Sequence, residues 1–381
     1  MQLSFLRQID TLAGNFLLYA LAGPARVIRF VWPRQRTEKQ RHVFVKMKGG
    51  GSLIIALPAL LGLRQKNPDA EFILVCAREA QIYGELSGIF DRFLVVDDNS
   101  VLSLVKSGLV ALRASFQADR CIDLEPNSRL AAVFTMMTCA QTRIGLVKPE
   151  QASRALAYSS ALSFNSISPI YIYYDRIAEL LGAPPASPVE CRAYFQKNLS
   201  PTEQNTPIRK TVALAPFTSA FARERMMPVA TWCALLQRTY TDTNLDFIIL
   251  GSKSNQNAAS DMAAAIKRVL PKTTIQNLCE SQSLRQATAL LRQCDEAWSV
   301  DSGLLHIARL LGVRTHSFWG PTMPSQRLRP IDGLEETVHY RPFLCSPCIQ
   351  ASTVPPCRGN NLCMISMAEE SPHLRPDWVR Q

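Results

Sequence analysis

Apolar segments of strand length alternate with amphipathic segments of helix length, and this alternation most constrains the fold. A first series runs over residues 43–183 and a second begins at residue 211. Repeated strand–helix units form parallel sheets, because each helical crossover packs back onto its sheet. We therefore predict an α/β protein with two Rossmann-like, doubly wound parallel-sheet domains. They are expected to face each other across a cleft that binds ligand at the strand C-termini.

The length of 381 residues favours about two domains rather than one. Residues 184–210 carry five prolines among polar residues, which is typical of a linker. The expected organisation is an N-terminal segment at 1–42, a first domain at 43–183, the linker at 184–210, and a second domain at 211–381.

The N-terminal segment combines a short apolar run at 16–22, ended by Gly23 and Pro24, with a basic and aromatic stretch after it. No run of about 20 apolar residues is present, so a spanning helix is not expected. The segment suits the surface of an anionic membrane. The alternative is a helix packed on the protein's own body. No cleavage site follows the apolar run, so a signal peptide is not expected.

The chain has a formal net charge of +11, which favours anionic partners. Its basic residues are interleaved along the chain without a long run, and we therefore do not expect nucleic acid binding. Seven of the eleven cysteines lie singly in predicted strands or helices. The odd total indicates a reducing compartment.

The segment 297–323 contains the turn that bears most directly on function. An apolar strand ends at Asp301-Ser302-Gly303, an amphipathic helix follows, and a second strand begins near Thr315. The N–H groups of a helix N-terminus can bind an anion, and Gly303 allows a phosphate to approach the backbone. Asp301 would repel phosphate and suits a neighbouring hydroxyl-rich group. A phosphate beside a hydroxyl-rich group is what a nucleotide sugar contains, so the turn is a candidate site for one. The alternative is that Asp301 and Ser302 only cap the helix.

A second glycine-rich turn, Gly49-Gly50-Gly51, follows the first predicted strand. It is not a P-loop, because no G-x-x-x-x-G-K-[ST] motif is present. The glycines allow the backbone to approach a ligand on the acceptor side. They are equally consistent with a tight turn that chain geometry alone requires.

Three stretches together resemble the glycosyltransferase family of the lipopolysaccharide heptosyltransferases. They are VKMKGGGSLIIALPALLGLRQKNPDAEFILV, SVDSGLLHIARLLGVRTHSFWGPTMP and the tail CSPC…PPCRGNNLC. The resemblance implies a GT-B fold and a nucleotide-sugar donor, similar to ADP-heptose, on the C-terminal domain. It also implies a lipid-linked glycan acceptor on the N-terminal domain, and inversion at the anomeric carbon without a metal ion.

Carried over by residue, the donor motif corresponds to Asp301, Ser302, Gly303 and His306. Thr218 and Ser219 occupy the loop that meets the diphosphate in the family. Arg225 approximates the position of a basic residue that offsets the charge of the leaving group. Departure of a nucleoside diphosphate develops negative charge, which a cation and a helix N-terminus stabilise.

The sequence departs from the family at Ser52, where the usual general base is an aspartate. A serine hydroxyl is not basic enough at neutral pH to remove the acceptor's proton unaided. Glu125, just past the fourth strand, is the provisional base, and Asp97 and Asp98 after the third strand are the alternatives. Glu125 could equally be a charge at a helix N-terminus.

Four cysteines lie close together in the tail, at a spacing that permits a tetrahedral site for structural Zn or Fe: Cys345, Cys348, Cys357 and Cys363. A purely structural role without metal is the alternative. The remaining histidines are scattered and give no ligand pattern.

The sequence favours a cytoplasmic glycosyltransferase, peripheral on the inner membrane, that adds heptose or a similar sugar to lipopolysaccharide core or a related glycan. No cofactor is expected to be required for transfer. A second hypothesis is a catalytically impaired homologue that binds the nucleotide sugar or glycan but lost its base at Ser52. A sugar-nucleotide epimerase is disfavoured, because G-x-G-x-x-G and Tyr-x-x-x-Lys are both missing.

Overall fold

The computed structural model describes residues 3–32, 38–199, 210–218, 223–240, 245–279, 282–351, 355, 357 and 360–369. The chain forms two compact units, Met1–Ser187 and Pro188–Gln381. The boundary lies within the stretch predicted as a linker, whose described part contains helix α8 of the second unit, Pro188–Lys197. Within the described residues, no helix is both long and apolar enough to cross a lipid bilayer.

The first unit is built on a parallel six-stranded sheet. Its strands are β1 Arg41–Val45, β2 Glu71–Cys76, β3 Arg92–Val95, β4 Arg120–Asp123, β5 Thr142–Val147 and β6 Ser160–Ser163. The strand order is β3-β2-β1-β4-β5-β6. Strand β6 is largely exposed and lacks an apolar pattern, so the alternation of apolar segments in the sequence does not indicate it. The predicted doubly wound fold is confirmed for this unit.

The helices of the first unit lie on both faces of its sheet. They are α1 Leu3–Val31, α2 Gly51–Ile55, α3 Leu57–Lys66, α4 Arg78–Ser87, α5 Val101–Ser115, α6 Arg129–Met137, a 3-10 segment Pro149–Ala157, and α7 Ile170–Leu180. The strand order reverses direction after β3, so right-handed crossovers place α5 and α6 on the face opposite α4. The carboxyl ends of β1, β3 and β4 therefore meet at one edge.

Helix α1 continues through Gly23 and Pro24, where the sequence predicted an interruption. It packs on α6 and on the 3-10 segment, with Leu18 and Ala25 buried in a shared apolar cluster. Pro24 lies on the exposed side of the helix. Tertiary packing on both sides of Pro24 therefore outweighs the cost of a proline inside the helix.

The second unit has a second parallel six-stranded sheet, which confirms the tandem arrangement. Its strands are β7 Thr211–Ala215, β8 Asp246–Ile249, β9 Thr274–Asn277, β10 Glu296–Val300, β11 Arg314–Trp319 and β12 Glu336–Tyr340. The strand order is β12-β11-β10-β7-β8-β9. Phe318 packs in its core against both Trp232 and Trp298, with ring centroids 5.2 and 5.5 Å apart.

Helices and short 3-10 turns complete the described part of the second unit. Besides α8, the helices are α9 Val229–Thr239, α10 Gln256–Val269, α11 Leu284–Leu291, α12 Gly303–Leu311, α13 Cys348–Ala351 and α14 Leu362–Ile365. The 3-10 turns are Arg223–Arg225, Lys253–Asn255, Pro324–Gln326 and Ser366–Ala368. The α14 segment joins the sheet core through Cys363 and Met364, so the cysteine-rich tail is part of this unit.

Candidate active site

The strand-to-helix turn predicted from the sequence is present in the second unit. Strand β10 ends at Val300, and Gly303 is the first residue of α12. Ser302 is the N-cap, and its hydroxyl accepts a hydrogen bond from the N–H of Leu305. The cap interpretation is therefore correct for Ser302. The first N–H groups of a helix have no intrahelical partner, so the N-terminus of α12 can still bind an anion.

Asp301 is buried and forms an ion pair with Arg225. The Nη1 atom of Arg225 lies 3.3 Å from the Oδ2 atom of Asp301. Arg225 is carried by the 3-10 turn Arg223–Arg225, which follows β7, and its side chain is 18% exposed. Two residues predicted for separate roles are thus neighbours, and the Arg225 guanidinium partly neutralises the carboxylate at the helix N-terminus.

The charges around Asp301 keep it ionised despite its burial. Burial alone would raise the pKa of Asp301, but the positive charges of Arg225 and Arg327 outweigh it and the pKa lies below its usual value. Arg327 was not singled out in the sequence, because no motif surrounds it. The site therefore presents a negative charge that is stabilised by the positive charges of two arginines.

His306 lies one helical turn into α12, with its Nε2 atom 3.8 Å from the Oδ1 atom of Asp301. Burial lowers the pKa of His306 to about 3, and nearby guanidinium groups add to this effect. The imidazole is therefore neutral at neutral pH, and it can act as a hydrogen-bond donor or acceptor but not as a cation.

The turn that carries Arg225 is held by the tail of the chain. The side-chain amide of Asn361 donates to the carbonyls of Glu224 and Met226, at 2.6 and 2.9 Å. Asn361 is buried and begins α14 as its N-cap residue. The tail therefore fixes the backbone on both sides of Arg225, a contact that no local sequence signal indicates.

The loop predicted to meet the diphosphate is described only in part. Thr218 lies three residues after the end of β7 and is half-buried. Ser219 lies outside the described residues. The role of both residues in binding phosphate stays a prediction.

The glycine turn of the first unit has geometric reasons for two of its three glycines. Gly49 has a φ of +76°, in the left-handed region that favours glycine. A Cβ at Gly50 would lie 2.0 Å from the ring of Tyr83. Gly51 is the first residue of α2. Chain geometry thus requires this turn whether or not a ligand approaches it.

Ser52 follows the glycine turn and its hydroxyl is already engaged. The Oγ atom of Ser52 donates to the carbonyl of Gly49 at 2.6 Å. This hydrogen bond orients the hydroxyl toward its own turn, and a serine hydroxyl remains too weak a base to remove a proton unaided at neutral pH.

Glu125 lies beside the glycine turn. This is expected because Glu125 follows β4 and the turn follows β1, and these neighbouring parallel strands end at the same edge of the sheet. One carboxylate oxygen accepts from the Nζ atom of Lys46 at 3.0 Å, and the other accepts from the backbone N–H of Lys48 at 2.9 Å. The Glu125 side chain is 12% exposed. The Glu125 side chain is therefore paired with Lys46 and held against the turn, with further lone pairs on both oxygens.

A buried polar network supports Glu125 from behind. The fully buried guanidinium of Arg154 lies 3.0 Å from Asp123, and it also donates to the backbone carbonyl of Glu125. The Tyr158 hydroxyl donates to the same Asp123 carboxylate at 2.6 Å, and Asp123 accepts the backbone N–H of Glu125 at 2.8 Å. The network fixes the backbone of Glu125 at the end of β4.

The alternative carboxylates differ in their surroundings. Asp98 forms an ion pair with Lys48, 2.9 Å from its Nζ atom. Asp97 is exposed, and its carboxylate accepts the backbone N–H of Asn99 at 3.0 Å. Both lie past β3, and Asp98 reaches the glycine turn through Lys48. The first unit thus gathers three candidate carboxylates at one edge of its sheet.

The four tail cysteines do not form the predicted metal site in the part of the chain that the structure describes. No group of three or more His, Cys, Asp or Glu side chains there is arranged to hold a metal ion. Cys363 belongs instead to the apolar core, and burial raises its pKa to about 11. A Cβ at Gly320 would lie 2.7 Å from the Cys363 sulfur, so this cysteine packs against the end of β11.

The fold defines the structural class of this protein. Two tandem Rossmann-like units, each built on a parallel six-stranded sheet, form a GT-B fold. The sequence profile of glycosyltransferase family 9 (heptosyltransferase) matches residues 110–357. The chain therefore belongs to glycosyltransferase family 9. No curated protein sequence matches it.

Solved structures with the same fold include three of this family. ADP-heptose lps heptosyltransferase II of E. coli is 17% identical, with 79% of this chain and 90% of that chain covered and a TM-score of 0.58. E. coli heptosyltransferase WaaC with ADP-2-deoxy-2-fluoro heptose is 17% identical, with 80% and 94% covered and a TM-score of 0.59. A family 9 glycosyl transferase of Veillonella parvula is 15% identical, with 84% and 90% covered and a TM-score of 0.59.

Sequence reasoning missed several residues that support the site. Lys46 had a usable signal, because a lysine at the buried end of an apolar strand requires a counter-charge. Arg154, Tyr158 and Asn361 had none, since each acts through a partner at least 29 residues away in the sequence.

Proposed function

We propose that this glycosyltransferase moves heptose or a similar sugar from a nucleotide sugar to lipopolysaccharide core or a related cell-surface glycan, with inversion. The observation that carries the proposal is the Asp301–Arg225 pair at the N-terminus of α12, at 3.3 Å. An anionic diphosphate needs a cation and free N–H groups, and a sugar needs a fixed hydrogen-bond acceptor beside them. The turn and the neighbouring loop that carries Arg225 would supply all three.

The proposed donor is a nucleoside diphosphate sugar similar to ADP-heptose. One solved relative, WaaC, binds an ADP-heptose analogue. The diphosphate would lie over Ser302 and Gly303, with Thr218 and Ser219 on its other side. Arg225 would offset the charge that develops as the diphosphate leaves, so the proposed transfer requires no metal ion. Asp301 and neutral His306 would hold sugar hydroxyls.

The proposed acceptor-side chemistry lies in the first unit, at the glycine turn. Glu125 would remove the proton from the acceptor hydroxyl, because it is the carboxylate held directly against this turn. Lys46 and the network behind Glu125 would fix its position. Asp98 and Asp97 are the alternative bases at the same edge.

The proposed location is the cytoplasmic face of the inner membrane, where a lipid-linked acceptor is anchored. Helix α1 supports this because it is apolar on two sides. One side packs on α6, and the other exposes a stripe of large apolar side chains: Leu12, Phe16, Tyr19, Val27 and Phe30. Arg26 and Arg29 lie beside this stripe. An apolar and basic face of this kind suits an anionic bilayer.

A non-catalytic protein that binds the donor or glycan is the second candidate, and Ser52 is the observation that favours it. The two functions differ in turnover. We would identify the ligand retained by the purified protein by mass spectrometry, and then supply that donor with a delipidated lipopolysaccharide core acceptor. The proposal expects a retained nucleotide or nucleotide sugar and a product heavier by one sugar. Donor binding without product would support the second candidate, and no nucleotide binding would overturn both.

A further inference from the structure

Helix α5 of the first unit exposes large apolar side chains that its position in a sheet protein does not explain. Leu102 is 79% exposed and Leu109 is 60% exposed, and Val101, Val105 and Val110 are exposed as well. Leu102, Val105 and Leu109 recur at i, i+3 and i+7, so they form one stripe on the helix. The opposite side holds Leu104 and Ala111 against the core of the sheet.

Basic residues flank this stripe, and α5 contains no acidic residue. Lys106 and Arg113 are both exposed and lie on the same side as Leu102 and Leu109, at i+4 and i+11 from Leu102. No ion pair joins either of them to another described residue. Acids lie on both sides of the helix in the sequence. Asp98 before it is paired with Lys48, and the carboxylate of Asp119 after it accepts the backbone N–H of Arg41 at 2.8 Å.

The α5 surface and the exposed side of α1 belong to one face of the first unit. Right-handed crossovers place α5 and α6 on the same face of the sheet, and α1 packs on α6. The side chain of Gln117, which follows α5, donates to the carbonyl of Trp32 at the end of α1 at 3.2 Å. Both surfaces are apolar with basic borders, and Phe30 on α1 is 91% exposed.

The acidic residue of α1 does not oppose the positive charge of that helix. Asp10, the acidic residue of α1, is turned inward, and its carboxylate accepts from the Ser128 hydroxyl at 2.7 Å and from the N–H of Arg129 at 2.9 Å. It therefore caps α6. The positive charges of Arg26 and Arg29 act on Arg143 behind them and contribute, after burial, to lowering its pKa. The C-terminal half of α1 thus carries two exposed guanidinium groups, those of Arg26 and Arg29.

We propose that α5 forms, together with α1, a two-helix docking surface for an anionic phospholipid bilayer. The inference rests on the proposed function, because it names the surface that would bring the first unit to a lipid-linked acceptor. Charge selects this partner over a second copy of the chain. A twofold contact between two copies of α5 would give Lys106 and Arg113 no acidic partner on that helix, whereas phospholipid headgroups supply the opposite charge.

Vesicle flotation of the full chain tests the docking surface. Wild-type protein is expected to float with vesicles of phosphatidylcholine and phosphatidylglycerol, and much less with phosphatidylcholine alone. Replacing Lys106→Glu should weaken binding by roughly fivefold or more, since each basic residue near such a surface contributes about that factor. Lys66→Glu is the matched control, because Lys66 is exposed at the end of α3, which no observation links to this face.

The apolar contribution is tested with Leu102→Ser combined with Leu109→Ser, which should weaken binding at least about tenfold. Ile167→Ser is the control, since Ile167 is also exposed but lies outside both helices. Equal flotation of the α5 variants and the wild type would overturn the inference. A wild-type dimer that becomes monomeric in the Leu102/Leu109 variant, with flotation unchanged, would also overturn it and would assign the face to self-association.

Transfer to a delipidated, soluble acceptor separates this inference from the proposed function. The α5 variants should retain full transfer to that acceptor, because no α5 residue belongs to the site. If wild-type protein floats as expected but transfers no sugar, the proposed function fails while the docking surface stands. If transfer is intact and the α5 variants float normally, the docking surface fails alone.

Discussion

Arg225 and Asp301 form an ion pair across 3.3 Å, although 75 residues separate them in the sequence. The pairing places a guanidinium beside a helix N-terminus and keeps the Asp301 carboxylate ionised inside the protein. Asp301, which is proposed to bind the sugar, therefore positions Arg225, which is proposed to offset the charge of the departing diphosphate. This coupling makes the effects of substitution at the two positions interdependent.

Arg225→Gln is expected to lower kcat for sugar transfer by about 10²–10³-fold, because a charge that stabilises the leaving group acts mainly in the transition state. Arg225→Lys should recover part of the rate, since it restores the charge without the planar geometry. Steady-state kinetics with a soluble acceptor measures both. Arg223→Gln, an exposed arginine on the same turn, is the control. An unchanged rate in Arg225→Gln would exclude the leaving-group role.

Glu125→Gln is expected to reduce transfer by about 10²–10⁴-fold if Glu125 is the general base. The variant also removes the negative charge beside Lys46, so a loss alone would not distinguish catalysis from structure. Adding Ser52→Asp to Glu125→Gln should restore part of the activity. It places a carboxylate at the position where the family resemblance implies an aspartate general base. A structural defect at Lys46 would not be rescued in this way.

The alternative bases are tested in the same assay. Asp97→Asn and Asp98→Asn should each leave kcat within about twofold of the wild type if Glu125 removes the proton. A loss of several hundredfold in either variant, with Glu125→Gln nearly unaffected, would reassign the base.

Asn361→Leu is expected to reduce sugar transfer because it misplaces Arg225, and not because it removes a group that contacts the substrate. It leaves the carbonyls of Glu224 and Met226 without their donor, at a cost of roughly 1–3 kcal/mol if they stay buried. A double-mutant cycle with Arg225→Gln measures the coupling. Positioning predicts that Asn361→Leu has little further effect once Arg225 is removed. Fully multiplicative losses would instead indicate an independent role.

Acid is expected to destabilise the second unit through His306. Its pKa is about 3 in the folded protein and 6.5 in an unfolded chain, so protons bind preferentially to the unfolded state between these values. Stability contributed by the neutral imidazole is complete above pH 6.5 and falls as the pH drops toward 3. At pH 5 the loss is roughly 2 kcal/mol.

Urea unfolding at pH 7.5 and 5.0 measures this loss. Tryptophan fluorescence reports on the second unit, because Trp232, Trp298 and Trp319 are all buried there. The wild type should lose more stability between the two pH values than His306→Gln does. Buried His42, whose pKa is lowered to about 4, contributes to acid sensitivity in the first unit and serves as an internal comparison. Equal losses in wild type and His306→Gln would contradict the prediction.

The sequence by itself determined the tandem parallel sheets, because apolar strands and amphipathic helices leave few other ways to bury their apolar faces. It also placed Asp301, Ser302 and Gly303 at a strand-to-helix turn, since the signals for that turn are local. Glu125 was placed near the glycine turn by a rule that is nearly local, the meeting of parallel strand ends.

Only the tertiary structure decided what these residues contact. Three contacts of the site join segments that lie at least 75 residues apart in the sequence. They are the ion pair of Asp301 with Arg225, the hydrogen bond from Lys46 to Glu125, and the hydrogen bonds from Asn361 to the turn that carries Arg225. The passage of α1 through Pro24 was decided in the same way, by packing on α6. Sequence patterns specify local geometry, whereas the energies of ion pairs and buried contacts depend on partners that folding alone brings within reach.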